Sequence, residues 1–139
     1  MTAFVLDSSI ALSWYFEDEA SEAADSLLAQ LASDVAAVPP LWHLEVANVI
    51  ALAERRGRVT TVRSAEFIAQ LETLTFAVDD ETAARAFAQV LDLARSHRLT
   101  AYDAAYLELS MRLGVPLATK DAALREAARR LGVMVVGAH

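Results

Sequence analysis

Short apolar blocks alternate with polar ones along the chain, and the period of each block predicts an element. Ala3–Leu6 is an apolar run ended by Asp7, the pattern of a strand buried on both faces. Ser8 and Ser9 are good first residues for a helix through Ile10–Phe16. Glu17–Asp34 carries Ala24, Leu27, Leu28 and Leu31 at helical spacing and reads as a second helix. Val35–Val38 predicts a strand stopped by Pro39 and Pro40. Leu41–Arg56 follows as a long helix with Gly57 placed to end it, and Thr60 or Thr61 caps a helix to about Glu72. Leu74–Val78 predicts a strand, and Asp79 or Asp80 caps a helix to about His97 with Ala83, Phe87, Val90, Leu91 and Ala94 inward. Thr100 caps the next helix, which ends at Gly114 and offers Leu107, Leu109 and Leu113 to the core. Pro116–Ala118 is a short strand, Ala122–Leu131 a helix closed by Gly132, and Val133–Val136 the last strand.

Strands that alternate with helices favour a parallel sheet covered on both faces. The expected fold is therefore a single α/β domain over residues 1–139, with four to five short parallel strands sandwiched by helices. A length of 139 residues suits one domain, and neither a repeat nor a long linker divides it. The absence of cysteine excludes disulfides, thiolate zinc sites and a Cys nucleophile. A hydrophobic share of 55% with 22% charged residues excludes a disordered chain. No apolar run approaches the ~18 residues of a membrane span. No basic segment precedes the first apolar run, so a cytoplasmic protein without a signal peptide is expected.

The formal charge of −7 by itself argues against a nucleic-acid partner. Its distribution changes that picture. Met1 to Glu54 holds nine acids and no Lys or Arg, whereas the remainder carries all 12 basic residues against ten acids. All but Lys120 are arginine, the side chain suited to bidentate phosphate or carboxylate contacts. Arg55, Arg56, Arg58 and Arg63 follow the long helix and are candidates to contact phosphate or an acidic partner segment.

Sites in open parallel sheets form beyond the carboxyl ends of the strands. Asp7 ends the first strand and Asp121 follows the strand Pro116–Ala118, although each also stands where it can cap the next helix. Glu45 shares a helical stripe with Leu41, Asn48 and Leu52, bordering the apolar face of Trp42, Val46, Val49 and Ala53. A carboxylate there needs a cation or a hydrogen-bonding partner, and an internal ion pair to an arginine would serve as well. Asp103 lies three residues after Thr100, which is also the spacing of a capping box. Tyr102 and Tyr106, one turn apart, read as packing residues rather than a base-stacking platform, and Trp14, Tyr15, Phe16 and Trp42 as core or a dimer interface. His43 points outward, His97 ends a helix and His139 is terminal, so none is expected to be catalytic. If the four acids converge, each pair ~5 Å apart at an effective dielectric of ~20 repels by about 3 kcal/mol, which a divalent cation reverses. Oxygen ligands without cysteine favour Mg²⁺ or Mn²⁺.

Four stretches bear on identity: Phe-Val-Leu-Asp-Ser-Ser-Ile-Ala-Leu (4–12), Pro-Leu-Trp-His-Leu-Glu-Val-Ala-Asn (40–48), Leu-Thr-Ala-Tyr-Asp-Ala-Ala-Tyr-Leu (99–107) and Leu-Ala-Thr-Lys-Asp (117–121). In this order the chain resembles the PIN-domain ribonucleases, in particular the VapC-like toxins of toxin–antitoxin modules. The resemblance implies metal-dependent endonucleolytic cleavage of RNA, with Asp7 and Asp103 as Mg²⁺ or Mn²⁺ ligands and Glu45 and Asp121 completing the set directly or through water. Ser9, Asn48 and Thr119 match polar positions that support such acids by hydrogen bonds. It also implies a homodimer and a cognate antitoxin, with no membrane contact and no direct DNA binding by this chain. Two other readings compete. A receiver-type phosphoacceptor would use Asp7 for Mg²⁺, Asp79 at the end of the third strand as acceptor and Lys120 after the fourth. A PIN-like binding module would keep the fold without catalysis.

Overall fold

Five strands, β1 (Thr2–Leu6), β2 (Val35–Val38), β3 (Phe76–Val78), β4 (Leu117–Ala118) and β5 (Val135–Val136), pair in one sheet in the order β3-β2-β1-β4-β5. The structure is a computed structural model that describes residues 2–137, so the reading made for His139 lies outside the described residues. Every pairing is parallel, as the alternation of strands and helices predicts. β1 is central, with Val5 level with Ala37 on one side and Leu117 on the other. Phe4, Val5 and Leu6 are buried there, which is why that strand is an unbroken apolar run. From β1 the chain builds outward to β2 and β3, then returns to the opposite side for β4 and β5. The reversal opens a crevice beyond the carboxyl ends of β1 and β4.

The helices are α1 (Ser8–Tyr15), α2 (Glu22–Gln30), α3 (Leu41–Arg55), α4 (Thr61–Glu72), α5 (Thr82–Arg85), α6 (Leu91–His97), α7 (Ala101–Leu113) and α8 (Ala122–Arg130). Ser21, Thr60, Thr100 and Asp121 cap α2, α4, α7 and α8, each side chain accepting the backbone N–H three residues on. Gly114 ends α7 at φ +67, a left-handed conformation that costs glycine little. α1 packs on α2, α3 and α4, while α7 packs on β1 and β4 between α6 and α8. Trp42, Tyr15, Tyr106, Phe4 and Phe67 are the largest fully buried side chains. Among the described residues, no helix is long and apolar enough to cross a membrane.

Four expectations are corrected. The single helix over Glu17–Asp34 is interrupted: Glu17–Glu19 form a 3₁₀ turn, and Ser21 restarts the chain as α2 by capping Ala24. Between α5 and α6, Ala86–Val90 adopt a π-helical turn. Its i→i+5 bonding lengthens the turn, so Ala86 and Val90 face inward and Phe87, expected in the core, is 93% exposed. Leu113 and Tyr102, read as packing residues, are 44% and 65% exposed. The last strand is shorter than Val133–Val136 because β4 offers it only two partners, Leu117 to Val135 and Ala118 to Val136.

Candidate active site

Asp7 leaves β1 at the crevice. It occupies the N-cap position of α1 but makes no capping bond with its side chain. Instead its Oδ2 accepts the Ser9 hydroxyl at 2.7 Å and the Thr119 hydroxyl at 2.7 Å. The same hydroxyls accept backbone N–H groups, Ser9 Oγ from Lys120 at 3.0 Å and Thr119 Oγ1 from Asp121 at 3.1 Å. The loops after β1 and β4 are thereby laced around one carboxylate. Only 5% of Asp7 is exposed, and burial pushes its pKa up against the lowering effect of the two hydroxyls, with the charge of Asp121 adding to the rise.

Asp121 does cap α8, its Oδ1 accepting the Leu124 N–H at 2.8 Å, and it is exposed. The capping reading and the site reading therefore hold together, because the cap uses one oxygen of two. Asp103 behaves alike. Thr100 Oγ1 accepts the Asp103 N–H at 3.1 Å, yet the Asp103 carboxylate remains close enough to Asp121 and Asp7 to feel both charges. Burial, then those two carboxylates, raise its pKa from the ordinary 3.8 to about 6. Glu45 on α3 is half-buried, and its Oε1 accepts the hydroxyl of Tyr106 from α7. Burial raises the Glu45 pKa, the Tyr106 hydrogen bond opposes this, and Asp7 and Asp103 add to the rise. The arginine partner allowed for Glu45 is thus replaced by a tyrosine. Burial and the Glu45 charge together hold that phenol protonated.

Among the described residues no Lys or Arg forms a salt bridge to Asp7, Glu45, Asp103 or Asp121. The contrast lies at the end of β3. There Asp79, Asp80 and Glu81 offer oxygens within 4.8 Å of one another, a tighter group than the four acids form. Arg112 meets that group, donating to Asp79 at 2.8 and 2.9 Å and holding its pKa down at about 2. One acidic group is paired with arginine from within the chain and the other, among the described residues, is not.

Residues 4–130 match the profile of the family described as PIN domain. The chain belongs to the PIN-domain family. This PIN domain is 30% identical over 122 residues to Ribonuclease VapC3 of Pyrobaculum aerophilum, a match spanning 88% of this chain and 92% of that protein. Among solved structures it is similar to PAE2754 of P. aerophilum, at a TM-score of 0.71 and 21% identity over 96% of this chain and 90% of the other. It is also similar to a toxin-antitoxin complex from Klebsiella pneumoniae, at a TM-score of 0.52 and 16% identity over 86% of this chain and 87% of the other. At these identities the two structural likenesses speak for the fold alone.

Within the PIN domain, the remaining expectations divide. Ser9 and Thr119 stand where they support Asp7, but Asn48 is exposed and no side-chain hydrogen bond ties it to the acids among the described residues. It lies on the outer side of α3 because the helix turns Glu45, not Asn48, toward α7. Arg58 is not free for phosphate: it pairs with Asp18 and Glu19 at 3.0 Å and stacks on Phe16. Arg63 reaches back to the Trp14 and Tyr15 carbonyls. Arg55 and Arg56 are exposed. The receiver reading fails on its own residues, since Asp79 is locked by Arg112 and the Lys120 amine donates to the Glu19 carbonyl at 2.7 Å.

The raised Asp103 pKa fixes a pH dependence. Its carboxyl loses a proton at 3.8 in an unfolded chain and at about 6 in the fold, so between these values the unfolded state is the more ionised. This contribution to the stability of metal-free protein is greatest below about pH 4 and is lost as pH rises through about 6. Urea unfolding in EDTA from about pH 4 to about pH 7.5 measures it. Asp103→Asn should flatten that slope, and an unchanged slope would refute the assignment.

Proposed function

We propose that this PIN domain is a Mg²⁺- or Mn²⁺-dependent endoribonuclease, the toxin of a toxin–antitoxin pair, with Asp7, Glu45, Asp103 and Asp121 holding the metal. The observation that carries the reading is the convergence of four acids from four elements at the crevice beyond β1 and β4, with no basic side chain paired to them among the described residues. The donor set fits a hard cation: it is all oxygen, and the bonds described above use Asp7 Oδ2, Glu45 Oε1 and Asp121 Oδ1, leaving the other oxygen of each. When bound, such an ion stabilises charge on a phosphate and acidifies water.

The chain's own residues contribute positioning. Ser9 and Thr119 fix the Asp7 carboxylate, and Tyr106 fixes Glu45. The N-termini of α1, α7 and α8 start at or beside Asp7, Asp103 and Asp121, and the positive ends of those helices favour an anion such as phosphate. The 30% identical relative is named a ribonuclease, and a fold neighbour comes from a toxin-antitoxin complex. These support RNA as substrate and an antitoxin as partner; a homodimer in the cytoplasm is part of the same proposal and not of that support.

Metal titration tests the reading and separates it from a binding module without catalysis. At 100 times its Kd a ligand of the folded state alone stabilises by about 2.7 kcal/mol. For a domain of this size that is a Tm rise of roughly 5–10 °C. Mg²⁺ or Mn²⁺ should produce such a rise and support cleavage of cellular RNA that EDTA abolishes. No rise at saturating metal, or cleavage indifferent to EDTA, would overturn it.

A further inference from the structure

We propose that Tyr102 is the platform on which a base of single-stranded RNA stacks beside the phosphate to be cut, an inference that rests on the ribonuclease reading. Tyr102 is 65% exposed, and its hydroxyl makes no hydrogen bond among the described residues, so the packing role its spacing predicts is absent. It immediately precedes Asp103 in the first turn of α7. It also lies four residues before Tyr106, which places both rings on one face of the helix, the face from which the Tyr106 hydroxyl meets Glu45. Helical side chains lean toward the N-terminus, so the Tyr102 ring leans from that face toward the start of α7, where Asp103 sits.

Charge explains why a ring is needed there. The protein carries −7, and Arg58 and Arg63 are spent on internal partners. Stacking on an aromatic face adds affinity for a polyanion close to four acids without depending on charge. Unpaired RNA can turn a base out of its own stack onto a side chain, whereas a duplex cannot do so freely.

The test uses a single-stranded RNA oligonucleotide selected from a mixed-sequence pool by its cleavage with wild-type protein and Mn²⁺. Tyr102→Ala should raise KM about ten-fold, within the range of losing one stacked base, and leave kcat within about two-fold. Tyr102→Phe and Tyr102→Trp should keep the wild-type KM, because stacking requires the ring and not the hydroxyl. A second readout does not need catalysis. With a fluorescent base analogue moved along the oligonucleotide, Asp7→Asn protein should quench one position, and the double variant Asp7→Asn, Tyr102→Leu should restore its emission. An unchanged KM in Tyr102→Ala, a Phe variant as impaired as Ala, or no quenched position would each overturn the proposal. So would normal cleavage by a Tyr102→Ala protein that has lost only a protein partner, which assigns the ring to a protein interface. Wild-type protein that cuts no RNA removes the ribonuclease reading itself; wild-type cleavage matched by Tyr102→Ala removes only the stacking.

Discussion

Asp7→Asn is expected to slow RNA cleavage by about 10³-fold while making the metal-free protein more stable. The two effects have one cause. Asp7 is held by Ser9 and Thr119 in a setting that disfavours its own charge, since burial raises its pKa and the Asp121 charge adds to the rise. Asparagine keeps the shape and can still accept both hydroxyl groups, so the lacing of the two loops survives. It removes the charge that costs stability in the empty fold and that a cation would use. Loss of one preorganised electrostatic group at a reacting centre commonly costs ~10²–10³ in rate, and a charge central to a metal site belongs at the upper end of that range. Single-turnover cleavage with Mn²⁺, set beside thermal unfolding in EDTA, measures both. A variant that cuts RNA at the wild-type rate would remove Asp7 from the mechanism. A variant that is inactive because its Tm has fallen would show that the loss came from misfolding.

Arg112→Ala is expected to give the largest loss of stability while the four acids at the crevice keep their places. The guanidinium forms two bidentate pairs, to Asp79 at 2.8 and 2.9 Å and to Glu108 at 2.9 Å through two nitrogens. Side-chain exposure is 14% for Arg112, 8% for Asp79 and 6% for Glu108. Removing the arginine leaves two nearly buried carboxylates without a cation, a change that costs about 3–5 kcal/mol. That is a Tm drop of roughly 10–20 °C for a domain of this size. Arg112→Lys should recover little, because an ammonium cannot span both carboxylates. The pH profile carries a second signature. Asp79 titrates at about 2 in the fold against 3.8 ordinarily, so its contribution is present above about pH 4 and lost as pH falls toward 2. Arg112→Ala should erase that acid limb. Equal stability of the two proteins across this range would show that the ion network contributes nothing.

Local chemistry made much of the fold legible in advance. Thr60, Thr100 and Asp121 cap helices where their side chains sit three residues ahead of an amide, and Gly114 stops a helix by a backbone conformation that needs no partner elsewhere. Asp7 stands out at the end of an all-apolar strand, where a helix cap was the competing use, and its side chain makes no capping bond. Features set by distant partners were not. Glu45 looks like half of an ion pair until Tyr106, 61 positions away, turns out to donate to it. Arg58 looks available for phosphate until the fold brings Asp18 and Glu19 to it. Phe87 looks buried because helical spacing assumes a constant turn, and the π turn at Ala86–Val90 breaks that assumption. Tyr102 and Tyr106 are chemically identical and one turn apart, and only the packing of α7 separates a buried donor from an exposed ring.

The lacing of Asp7 by Thr119 also sets an order of events during synthesis. The four acids come from positions 7, 45, 103 and 121, and β1 gains its second neighbour only when Leu117 and Ala118 have been made. A nascent chain that has completed β1, β2 and β3 holds Asp7 without the Thr119 hydroxyl and lacks Asp121 altogether. An arrangement that needs Thr119 and Asp121 forms only once those residues have been made, so a chain released after β3 carries Asp7 and Glu45 alone of the four acids.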